Sequence, residues 1–489
     1  MAWIAIDAGT SVIKAVAFSD TGVELALARE STVVLHPKPG YSEQDMSSVW
    51  AAVMSTLKRV LANLRESVST IAITAQGDGC WLIDNKDQPA GNAILWNDGR
   101  ASALVLSWRQ RRLIETVFPI SGSVPYPGLL SGILQWLEQN QPERLGTAQY
   151  ALSCNGWIYR QLTGRAIADL SDASNPFGDV RAGEYSSTLL AEYGLQRYSR
   201  LLPQVARGDA LIAGLLPDVA RALDLKINTR VVMAPYDIVA TAYGVGVSEP
   251  GQACIILGTT ICAETIVSNL NLAGTIAGTT VALDRGLHLR AMPTLTGCET
   301  LDWAKRLLGL SEMHELEALA SHADRVSSGL VFLPYLSPAG ERAPFLEPNA
   351  HGSLHGMALS HRREEIARSF YEGLSFGIRE CLLVAASDVR EIRVCGGGAR
   401  SDFWCQMISD VTGLEVQRPT HNELGARGAF LFGKVAVGEL DSLAAASDRF
   451  PLELKKFMPD EKAHQVYSKA YEHFLQVREH ARQLWERSQ

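Results

Sequence analysis

The fold is decided by residues 3–14, WIAIDAGTSVIK, which contain two short β-rich runs on either side of a polar turn. Turn-forming residues at 19–22 lead into a third β-rich run at residues 23–28. Such runs, separated by Gly, Asp, Ser and Thr, predict an antiparallel meander. A helical pattern at residues 49–64, with Asp45 or Ser47 as its cap, and a buried strand at residues 71–74 come next. The pattern predicts an α/β fold.

The hairpin pattern returns at residues 253–267, ACIILGTTICAETIV, where two β-rich runs flank Gly258-Thr259-Thr260. A repeat of strand, Gly-Thr turn and strand indicates a duplicated domain, in which each half contributes one turn to a shared site. We place the boundary where small residues follow a helical stretch. This division predicts an N-terminal domain of residues 1–245 and a C-terminal domain of residues 246–489.

Length and composition agree with two domains and limit the partners. The chain has 489 residues, of which 47% are hydrophobic, enough to bury two cores. A formal net charge of −8 without a long Lys/Arg run disfavours nucleic acid and anionic membranes as partners. Asp7 interrupts the first apolar run, so we expect no N-terminal signal peptide. No later apolar run is long enough to span a bilayer, and the eight cysteines lack a CxxC pair. We expect a cytoplasmic protein with reduced thiols.

The first polar turn, residues 7–11, has the groups that a phosphate and magnesium site requires. Gly9 allows backbone amides to approach an oxygen, Thr10 and Ser11 carry hydroxyl donors, and Asp7 supplies a carboxylate for the metal. Asp and Gly are also favoured in hairpins for conformation alone. The second turn, at residues 258–260, supports the phosphate interpretation, because a nucleotide held from two sides needs a donor-rich turn in each domain.

Three consecutive glycines, Gly396, Gly397 and Gly398, follow a β-rich run at residues 391–395, and Ser401 is placed to cap the next helix. Residues without a β-carbon would let an adenine ring or a ribose lie against the backbone. The alternative is an ordinary tight turn. The triplet is not a dinucleotide-binding fingerprint, because it lies late in the chain and does not open a first βαβ unit.

Three further polar residues follow predicted strands. Asp237 comes after the β-rich residues 231–233 and starts an apolar helical run, where it would serve either as the general base of a phosphoryl transfer or as a helix cap. Gln76 and Asp78 follow the strand at residues 71–74 and carry the donors and acceptors that sugar hydroxyls need. For Asp78 a turn-forming role is the alternative.

Taken together, these segments resemble the FGGY family of carbohydrate kinases, and the resemblance extends over the whole chain. It is carried by residues 7–11, 75–79, 95–100, 236–237, 258–260 and 396–401, and by the second family signature at residues 352–357 and 369–373. In the first signature, Ile133 stands where the family often has a lysine. The resemblance implies two actin-like, ribonuclease H-like α/β domains with a nucleotide cleft between them. It also implies ATP and Mg²⁺ as cofactors.

The resemblance implies roles for individual residues as well. Asp237 would be the general base and, with Asp7, would hold magnesium. The transferred phosphate would be bound by Gly9, Thr10, Ser11, Gly258, Thr259 and Thr260, with Lys14 as a nearby cation. The adenosine would lie against Gly396, Gly397, Gly398 and Ser401. The acceptor site would be formed by Gln76, Gly77, Asp78, Trp81 and Asp237, with Gly77 leaving room and Trp81 covering a C–H face of the sugar. For Trp81 a core position is the alternative.

The resemblance within the family points to two classes of acceptor. Residues 7–14, 76–81 and 339–345 are most similar to erythritol kinases, whereas residues 91–95 and the missing lysine also resemble L-xylulose kinases. We therefore expect an ATP:polyol phosphotransferase acting on a short polyol such as erythritol, with a ketopentose such as L-xylulose as the alternative. A non-kinase ATPase of the actin and Hsp70 type is a further alternative. The expected partner is a small polyol or ketose, without nucleic acid or membrane, and a homodimer is compatible with the sequence.

Overall fold

A computed structural model describes residues 1–326, 329–386 and 388–486. The strands are β1 (Ala2–Ala8), β2 (Val12–Ser19), β3 (Glu24–Ser31), β4 (Glu43–Gln44), β5 (Val68–Ala75), β6 (Trp81–Asp84), β7 (Ala93–Ile94), β8 (Ala148–Leu152), β9 (Ile167–Ala168), β10 (Gly178–Asp179), β11 (Glu184–Tyr185), β12 (Gln204–Val205), β13 (Ile212–Gly214), β14 (Arg230–Met233), β15 (Gln252–Leu257), β16 (Ile261–Val267), β17 (Thr279–Ala282), β18 (His288–Pro293), β19 (Val331–Leu333), β20 (Ser353–His355), β21 (Glu391–Cys395), β22 (Glu415–Pro419) and β23 (Leu454–Phe457).

The α-helices are α1 (Met46–Ala62), α2 (Ser102–Gln110), α3 (Leu113–Ser121), α4 (Leu130–Asn140), α5 (Pro142–Thr147), α6 (Cys154–Thr163), α7 (Leu170–Ser174), α8 (Ser187–Glu192), α9 (Pro217–Leu223), α10 (Asp237–Gly244), α11 (Cys298–Leu307), α12 (Met313–Ser321), α13 (Arg363–Ala385), α14 (Asp402–Thr412), α15 (Leu424–Ala436), α16 (Leu443–Arg449) and α17 (Glu461–Glu486). Within the described part of the chain, no helix is both long and apolar enough to cross a membrane. The eight cysteines are free thiols.

The chain packs as two compact units that are not simple halves of the sequence. The first unit contains Met1–Ser248, Thr280–His288 and His421–Leu452, and the second contains Glu249–Thr279, Leu289–Thr420 and Glu453–Gln489. Two later segments therefore pack with the N-terminal part of the chain. The division at residues 245 and 246 expected from the sequence does not include them.

The first unit is built on a six-stranded sheet with the strand order β13-β14-β5-β1-β2-β3. Strand β1 pairs antiparallel with β2 and parallel with β5, and β5 pairs parallel with β14. Every residue of β1 except Asp7 is buried, as expected for a central strand that is covered on both faces. Helix α1 packs against β2 and β3, and α15 packs against β1 and β5.

The second unit repeats this arrangement of strands. Six strands of its sheet run in the order β18-β16-β15-β21-β22-β23. Strand β15 pairs antiparallel with β16 and parallel with β21, and β21 pairs parallel with β22. The last strand, β23, pairs antiparallel with β22, as β13 does with β14 in the first sheet. The two sheets thus agree with the duplication predicted from the two hairpins.

The local predictions for helix ends are confirmed. The Asp45 side chain accepts a hydrogen bond from the backbone N–H of Ser48 and caps α1. Ser401 caps α14 in the same way, and that helix ends at Gly413, which has a left-handed backbone. Strand β3 extends past residue 28 to Ser31, because its pairing with β2 continues along the whole of the neighbouring strand.

Helices α10 and α15 cross at a very short distance in the first unit. A β-carbon built on Gly428 would lie 1.7 Å from the carbonyl oxygen of Ala240, and one built on Gly244 would lie 1.8 Å from that of Leu424. Only glycine lacks a β-carbon, so no other residue fits at these two positions without movement of the backbone. Small residues in α15 therefore serve close helix packing here.

The substitution Gly428→Ala tests this crossing. We expect it to lower the midpoint of thermal unfolding, because the new methyl group meets backbone and not a flexible side chain; overpacking of this kind costs about 1 to 3 kcal/mol. Circular dichroism melting curves measure the change. Gly146→Ala in α5 is the matched control, since a β-carbon there has nothing within 4 Å, and this variant should be at least as stable as the parent because alanine is the better helix former. Equal melting of both variants would contradict the packing role.

Candidate active site

The turn between β1 and β2 holds Thr10 in a ring of hydrogen bonds. The Thr10 hydroxyl donates to Oε1 of Gln76, Nε2 of Gln76 donates to Oε1 of Gln44, and Nε2 of Gln44 donates to the Thr10 carbonyl oxygen, each at 2.8 Å. The indole N–H of Trp96 also donates to the Thr10 hydroxyl, at 3.0 Å. Gln44 and Gln76 are buried, with 1% and 3% of their surface exposed. The ring therefore fixes both the backbone and the side chain of Thr10.

This ring changes the interpretation of Gln76. The sequence predicts that its amide binds sugar hydroxyls, but in the structure its oxygen accepts from Thr10 and its nitrogen donates to Gln44. Gln76 directly follows β5, which pairs with β1, and so it ties the end of one strand to the turn that follows the other. Gln44 belongs to no motif, and nothing in a single sequence marks it as a partner of the turn.

The charged residues of the segment at 95–100 support β4, the strand that carries Gln44. Asp98 accepts a hydrogen bond from the backbone N–H of Ser42 at 2.6 Å. The Arg100 guanidinium bonds Asp98 at 2.8 Å and Glu43 at 2.6 Å, and its side chain is almost fully buried. This part of the family resemblance thus reflects a structural support of the turn.

Asp7, near the end of β1, shares a lysine with a second carboxylate. Nζ of Lys14 lies 3.5 Å from Oδ2 of Asp7 and 3.2 Å from Oε2 of Glu423, and Arg29 forms another ion pair with Glu423. Burial raises the pKa of Asp7, the charge of Lys14 opposes the rise, and the charge of Glu423 adds to it. Although burial opposes it, the two carboxylates raise the pKa of Lys14. Lys14 is thus held as a cation at the turn.

Helix α15 brings Glu423 to Asp7. Glu423 is the residue directly before the helix, and a β-carbon built on Gly425 would lie 2.7 Å from Oδ2 of Asp7. The first turn of the helix therefore lies against this carboxylate, where the partial positive charge of a helix N-terminus favours a negative group. Sequence reasoning missed Glu423, because an ion pair between residues so far apart in the chain has no signature in a single sequence.

Asp237 is the first residue of α10, and the cap position belongs to Tyr236, which forms no side-chain cap. Asp237 is therefore not the helix cap that the sequence analysis considered as an alternative. Burial raises its pKa to about 7, the charges of Asp7 and Asp78 add to the rise, and hydrogen bonds from backbone groups oppose it. A carboxyl group that ionises near neutral pH suits a general base.

Three buried side chains hold the segment that leads from β14 into α10. The hydroxyl of Thr74, the amide of Asn155 and the hydroxyl of Ser171 bond the backbone of residues 234–236 at 2.7, 2.7 and 3.0 Å. Ser171 in turn donates to Asp169 at 2.7 Å. The position from which Asp237 projects is thus fixed from three sides by residues that the sequence analysis did not select.

Asp78 has a left-handed backbone with a φ of 54°, which is uncommon for a residue with a β-carbon. Its carboxylate accepts a hydrogen bond from the Tyr126 hydroxyl. Residues held in rare backbone conformations by their surroundings cluster at functional sites. Tyr126 is an additional residue that the sequence analysis missed, because it belongs to a loop without a recognisable pattern.

Gly77 and Trp81 occupy positions other than those expected. A β-carbon built on Gly77 would lie 2.5 Å from the ring of Tyr236, so this ring fills the space that the glycine was expected to leave for an acceptor. Trp81 lies in β6, opposite Leu152 of β8, and has no exposed surface. The structure thus places Trp81 in the core, which was the alternative interpretation.

In the second unit, Gly258, Thr259 and Thr260 form the turn between β15 and β16. The backbone N–H of Gly258 donates to the Thr260 carbonyl oxygen at 3.1 Å, and the Gly258 carbonyl accepts from the backbone N–H of Cys298 at 3.0 Å. Cys298 begins α11, so the N-terminus of a helix meets this turn. Thr259 is exposed, and its hydroxyl is therefore accessible to a ligand.

The three glycines after β21 meet different requirements. Gly396 has a positive φ of 89°, and a β-carbon on Gly398 would lie 2.6 Å from the ring of Trp404. Gly397 is exposed and has nothing within 4 Å of such a carbon, so of the three it offers open backbone to a ligand. The Ser401 hydroxyl accepts the backbone N–H of Trp404 at 3.0 Å. A tight turn explains Gly396 and helix packing explains Gly398, whereas neither explains Gly397.

Asp7 and Asp237 are the carboxylates expected to hold Mg²⁺, and their surroundings fit that ion. The charge of Asp7 raises the pKa of Asp237, which places the two groups within electrostatic reach of each other. A divalent cation would remove this repulsion. Mg²⁺ usually takes one or two carboxylates together with waters and substrate phosphates. The described residues contain no cluster of three or more His, Cys, Asp or Glu suited to a metal, so a cage made only of protein ligands is not found there.

Comparisons with known proteins identify the family. The model for the N-terminal domain of the FGGY family of carbohydrate kinases matches residues 2–244, and the model for the C-terminal domain of that family matches residues 253–437. The chain belongs to the FGGY family of carbohydrate kinases. The family predicted from the sequence is thus confirmed.

The relatives of this FGGY kinase carry different substrate names. The L-xylulose/3-keto-L-gulonate kinase of Escherichia coli strain K12 is 29% identical over 488 residues, covering 96% of this chain and 95% of the relative. The erythritol kinase of Brucella abortus strain 2308 is 30% identical over 455 residues, covering 89% and 87%. A xylulose kinase structure from Lactobacillus acidophilus matches with a TM-score of 0.93 at 21% identity and covers 100% of both chains. The predicted fold class is confirmed, and these names do not agree on one acceptor.

The substitution Gln44→Met tests the ring at Thr10, because it keeps the size of the side chain and removes both of its ring hydrogen bonds. Leaving buried polar partners unpaired costs about 1 to 3 kcal/mol, so we expect kcat/KM for ATP to fall about 5- to 150-fold while the KM of the acceptor changes little. Steady-state kinetics with each substrate varied in turn measures this. Thr56→Val is the control, since it removes one buried hydrogen bond within α1. A change confined to the acceptor KM would assign the ring to the acceptor site instead.

Proposed function

We propose that this FGGY kinase transfers the γ-phosphate of ATP to a hydroxyl of a short polyol, with erythritol as the expected acceptor. The observation that carries the proposal is the position of Asp237, a partly buried carboxyl group at the start of α10, held near Asp7 and Asp78. Phosphoryl transfer to an alcohol requires a carboxylate that accepts the proton of the attacking hydroxyl. In this proposal Asp237 is the base and, together with Asp7, a metal ligand, whereas Asp78 binds the acceptor.

In the proposed reaction, the oxygen of the acceptor hydroxyl attacks the γ-phosphorus, and ADP leaves. The Asp237 carboxylate accepts the proton of that hydroxyl. The bonds from Thr74, Asn155 and Ser171 to the preceding segment keep the carboxylate in place, which reduces the reorganisation that the reaction needs. Mg²⁺, held by Asp7 and Asp237, would neutralise charge on the phosphates. Lys14 would add positive charge at the same turn.

The second unit supplies the nucleotide contacts in this proposal. The turn at residues 258–260 offers backbone and threonine donors to the phosphates, as the turn at residues 9–11 does in the first unit. The exposed backbone at Gly397 would lie against the adenosine, next to the capped start of α14 at Ser401. These assignments are supported by the family resemblance of both segments.

Asp78 and Tyr126 carry the proposal for the acceptor. A carboxylate accepts hydrogen bonds from hydroxyl groups, and a phenol both donates and accepts, so the pair suits neighbouring hydroxyls of a polyol. The similarity to the Brucella erythritol kinase supports a four-carbon acceptor. A ketopentose such as L-xylulose is the second candidate, supported by the similarity to the E. coli kinase named for that sugar.

The substitution Asp237→Asn tests the general base. The amide cannot accept the proton, so we expect kcat to fall about 100- to 10,000-fold with acceptor binding retained. A coupled ADP-release assay gives kcat, and calorimetric titration gives acceptor affinity. Asp218→Asn, in the first turn of α9 and away from the site, is the control and should keep full activity. If Asp237→Asn retains more than a third of the parent kcat, Asp237 is not the base.

A panel of acceptors and substitutions of Asp78 test the substrate. We expect kcat/KM for erythritol to exceed that for glycerol at least about tenfold, and Asp78→Ala to lower it about 5- to 150-fold through the loss of hydrogen bonds in a closed site. Asp78→Asn tolerates the left-handed backbone and separates loss of charge from loss of conformation. Asp87→Ala is the matched control, because Asp87 has a similar φ of 61°. Glycerol as the better substrate, or unaltered kinetics in Asp78→Ala, would remove this acceptor assignment.

A further inference from the structure

A small cavity of about 40 Å³ lies in the first unit, with Asp78 and Gly79 on its wall. Its other walls include Ser153, Asp172 and the apolar side chains of Leu152 and Phe177. One water needs about 10 to 15 Å³ of such space. The cavity therefore has room for a group of two or three heavy atoms, and is too small for a whole sugar.

Asp172 presents a carboxylate oxygen that the protein does not use. Its Oδ2 accepts the hydroxyl of Ser153 at 2.8 Å. Its Oδ1 is shielded from solvent and forms no hydrogen bond of ordinary length with the described residues, although the Asn155 side chain is close enough to lower the pKa of Asp172. The nearby Asn155 amide donates to the Ala234 carbonyl at 2.7 Å. A shielded oxygen without a donor is costly, so it calls for a ligand or a water.

The neighbouring Asp169 is the N-cap of α7 and serves as a structural comparison for Asp172. Asp169 accepts the backbone N–H groups of Ser171 and Asp172 at 3.0 Å, and also the Ser171 hydroxyl. Both of its oxygens are thus used within α7, and it does not line the cavity. Asp172, three residues further along, is not part of the α7 cap; its Oδ2 supports Ser153, which caps α6, and its Oδ1 is left for a ligand.

Asp78 connects this cavity with the reacting end of the site. Burial raises the pKa of Asp172 well above its ordinary value, and the charges of Asp169 and Asp78 add to the rise. Asp78 also contributes to the raised pKa of Asp237. The charge of Asp78 therefore acts on both carboxyl groups, and Asp78 itself lines the cavity, so an acceptor held by Asp78 lies next to the cavity.

We propose that the cavity is an acceptor subsite, in which Oδ1 of Asp172 receives the hydroxymethyl end of the substrate remote from the phosphorylated hydroxyl. The inference rests on the proposed function and goes beyond it, because it makes Asp172 a determinant of acceptor length. A terminal CH₂OH has two heavy atoms and one hydroxyl donor, which match the volume and the unused oxygen. We therefore expect glycerol, once its reacting hydroxyl is at Asp237, to leave the cavity empty, and a four- or five-carbon acceptor to fill it.

The test compares acceptors of different length in Asp172→Ala and in the isosteric Asp172→Asn, which protects against a loss of folding. Calorimetric titrations with glycerol, erythritol and L-xylulose, with and without ADP, give affinities that do not depend on turnover. We expect Asp172→Ala to weaken binding of the longer acceptors about 5- to 150-fold and to leave glycerol nearly unchanged. Asp172→Asn should shift the ratio of affinities in the same direction by less.

Asp169→Asn is the matched control, since it alters a buried carboxylate of the same helix that does not line the cavity, and it should change all acceptors equally. An equal loss for every acceptor in Asp172→Ala would make Asp172 structural and overturn the proposal. No change for any acceptor in Asp172→Ala would mean that the cavity holds only a water, which would also overturn the proposal. A parent protein that binds none of the three acceptors would overturn it too. Length-dependent binding in a parent protein that releases no ADP would support the subsite and contradict the kinase proposal.

Discussion

The close crossing of α10 and α15 is the contact on which the site of the first unit depends. Asp237 begins α10, and Glu423 directly precedes α15, so the crossing determines where both carboxylates lie. The contact needs glycine at two positions because backbone meets backbone, and such a contact leaves little freedom to slide. Helix α15 also packs against β1, which carries Asp7. Packing thus fixes the relative positions of three charged groups before any ligand binds.

Charge is the second constraint, because the site gathers several carboxylates in partly buried positions. Lys14 and Arg29 form ion pairs that compensate Asp7 and Glu423. Asp237 differs, because no cation is among the groups that shift its pKa. Burial raises its pKa, the charges of Asp7 and Asp78 add to the rise, and the carboxyl group therefore takes up a proton more readily than an ordinary aspartate. In the proposed function, the same negative charges would favour a divalent cation held by Asp7 and Asp237. Base strength and metal affinity would then depend on the same carboxylates.

Much of the fold was predictable from the sequence, because hairpins and helix caps are encoded over a few residues. The two Gly-Thr hairpins and the caps at Asp45 and Ser401 depend on neighbours in the chain, and these predictions are confirmed. Gln44, Glu423 and Tyr126 were not predictable, because each acts through a partner far away in the sequence. Gln76 and Gly77 were selected for their residue types, but their partners in the structure are Thr10 and the Tyr236 ring. The segment at residues 421–452 packs with the first unit, which no local pattern indicates.

The duplicated sheets explain how one fold can carry two different tasks. Gly9 and Thr10 correspond to Gly258 and Thr259 in the second hairpin, but the position of Asp7 is taken by the apolar Ile256. The first turn is therefore preceded by a carboxylate, which we propose as a metal ligand, whereas the corresponding position before the second turn is apolar. Strand β5 pairs parallel with β1 in the first sheet, and β21 pairs parallel with β15 in the second. The loops that follow β5 and β21 also differ in their polar side chains. The loop after β5 carries the Asp78 side chain, and the loop after β21 carries three glycines. The first loop can therefore bind a ligand through a carboxylate, and the second through its backbone. A polar acceptor suits the first loop and a flat aromatic base suits the second.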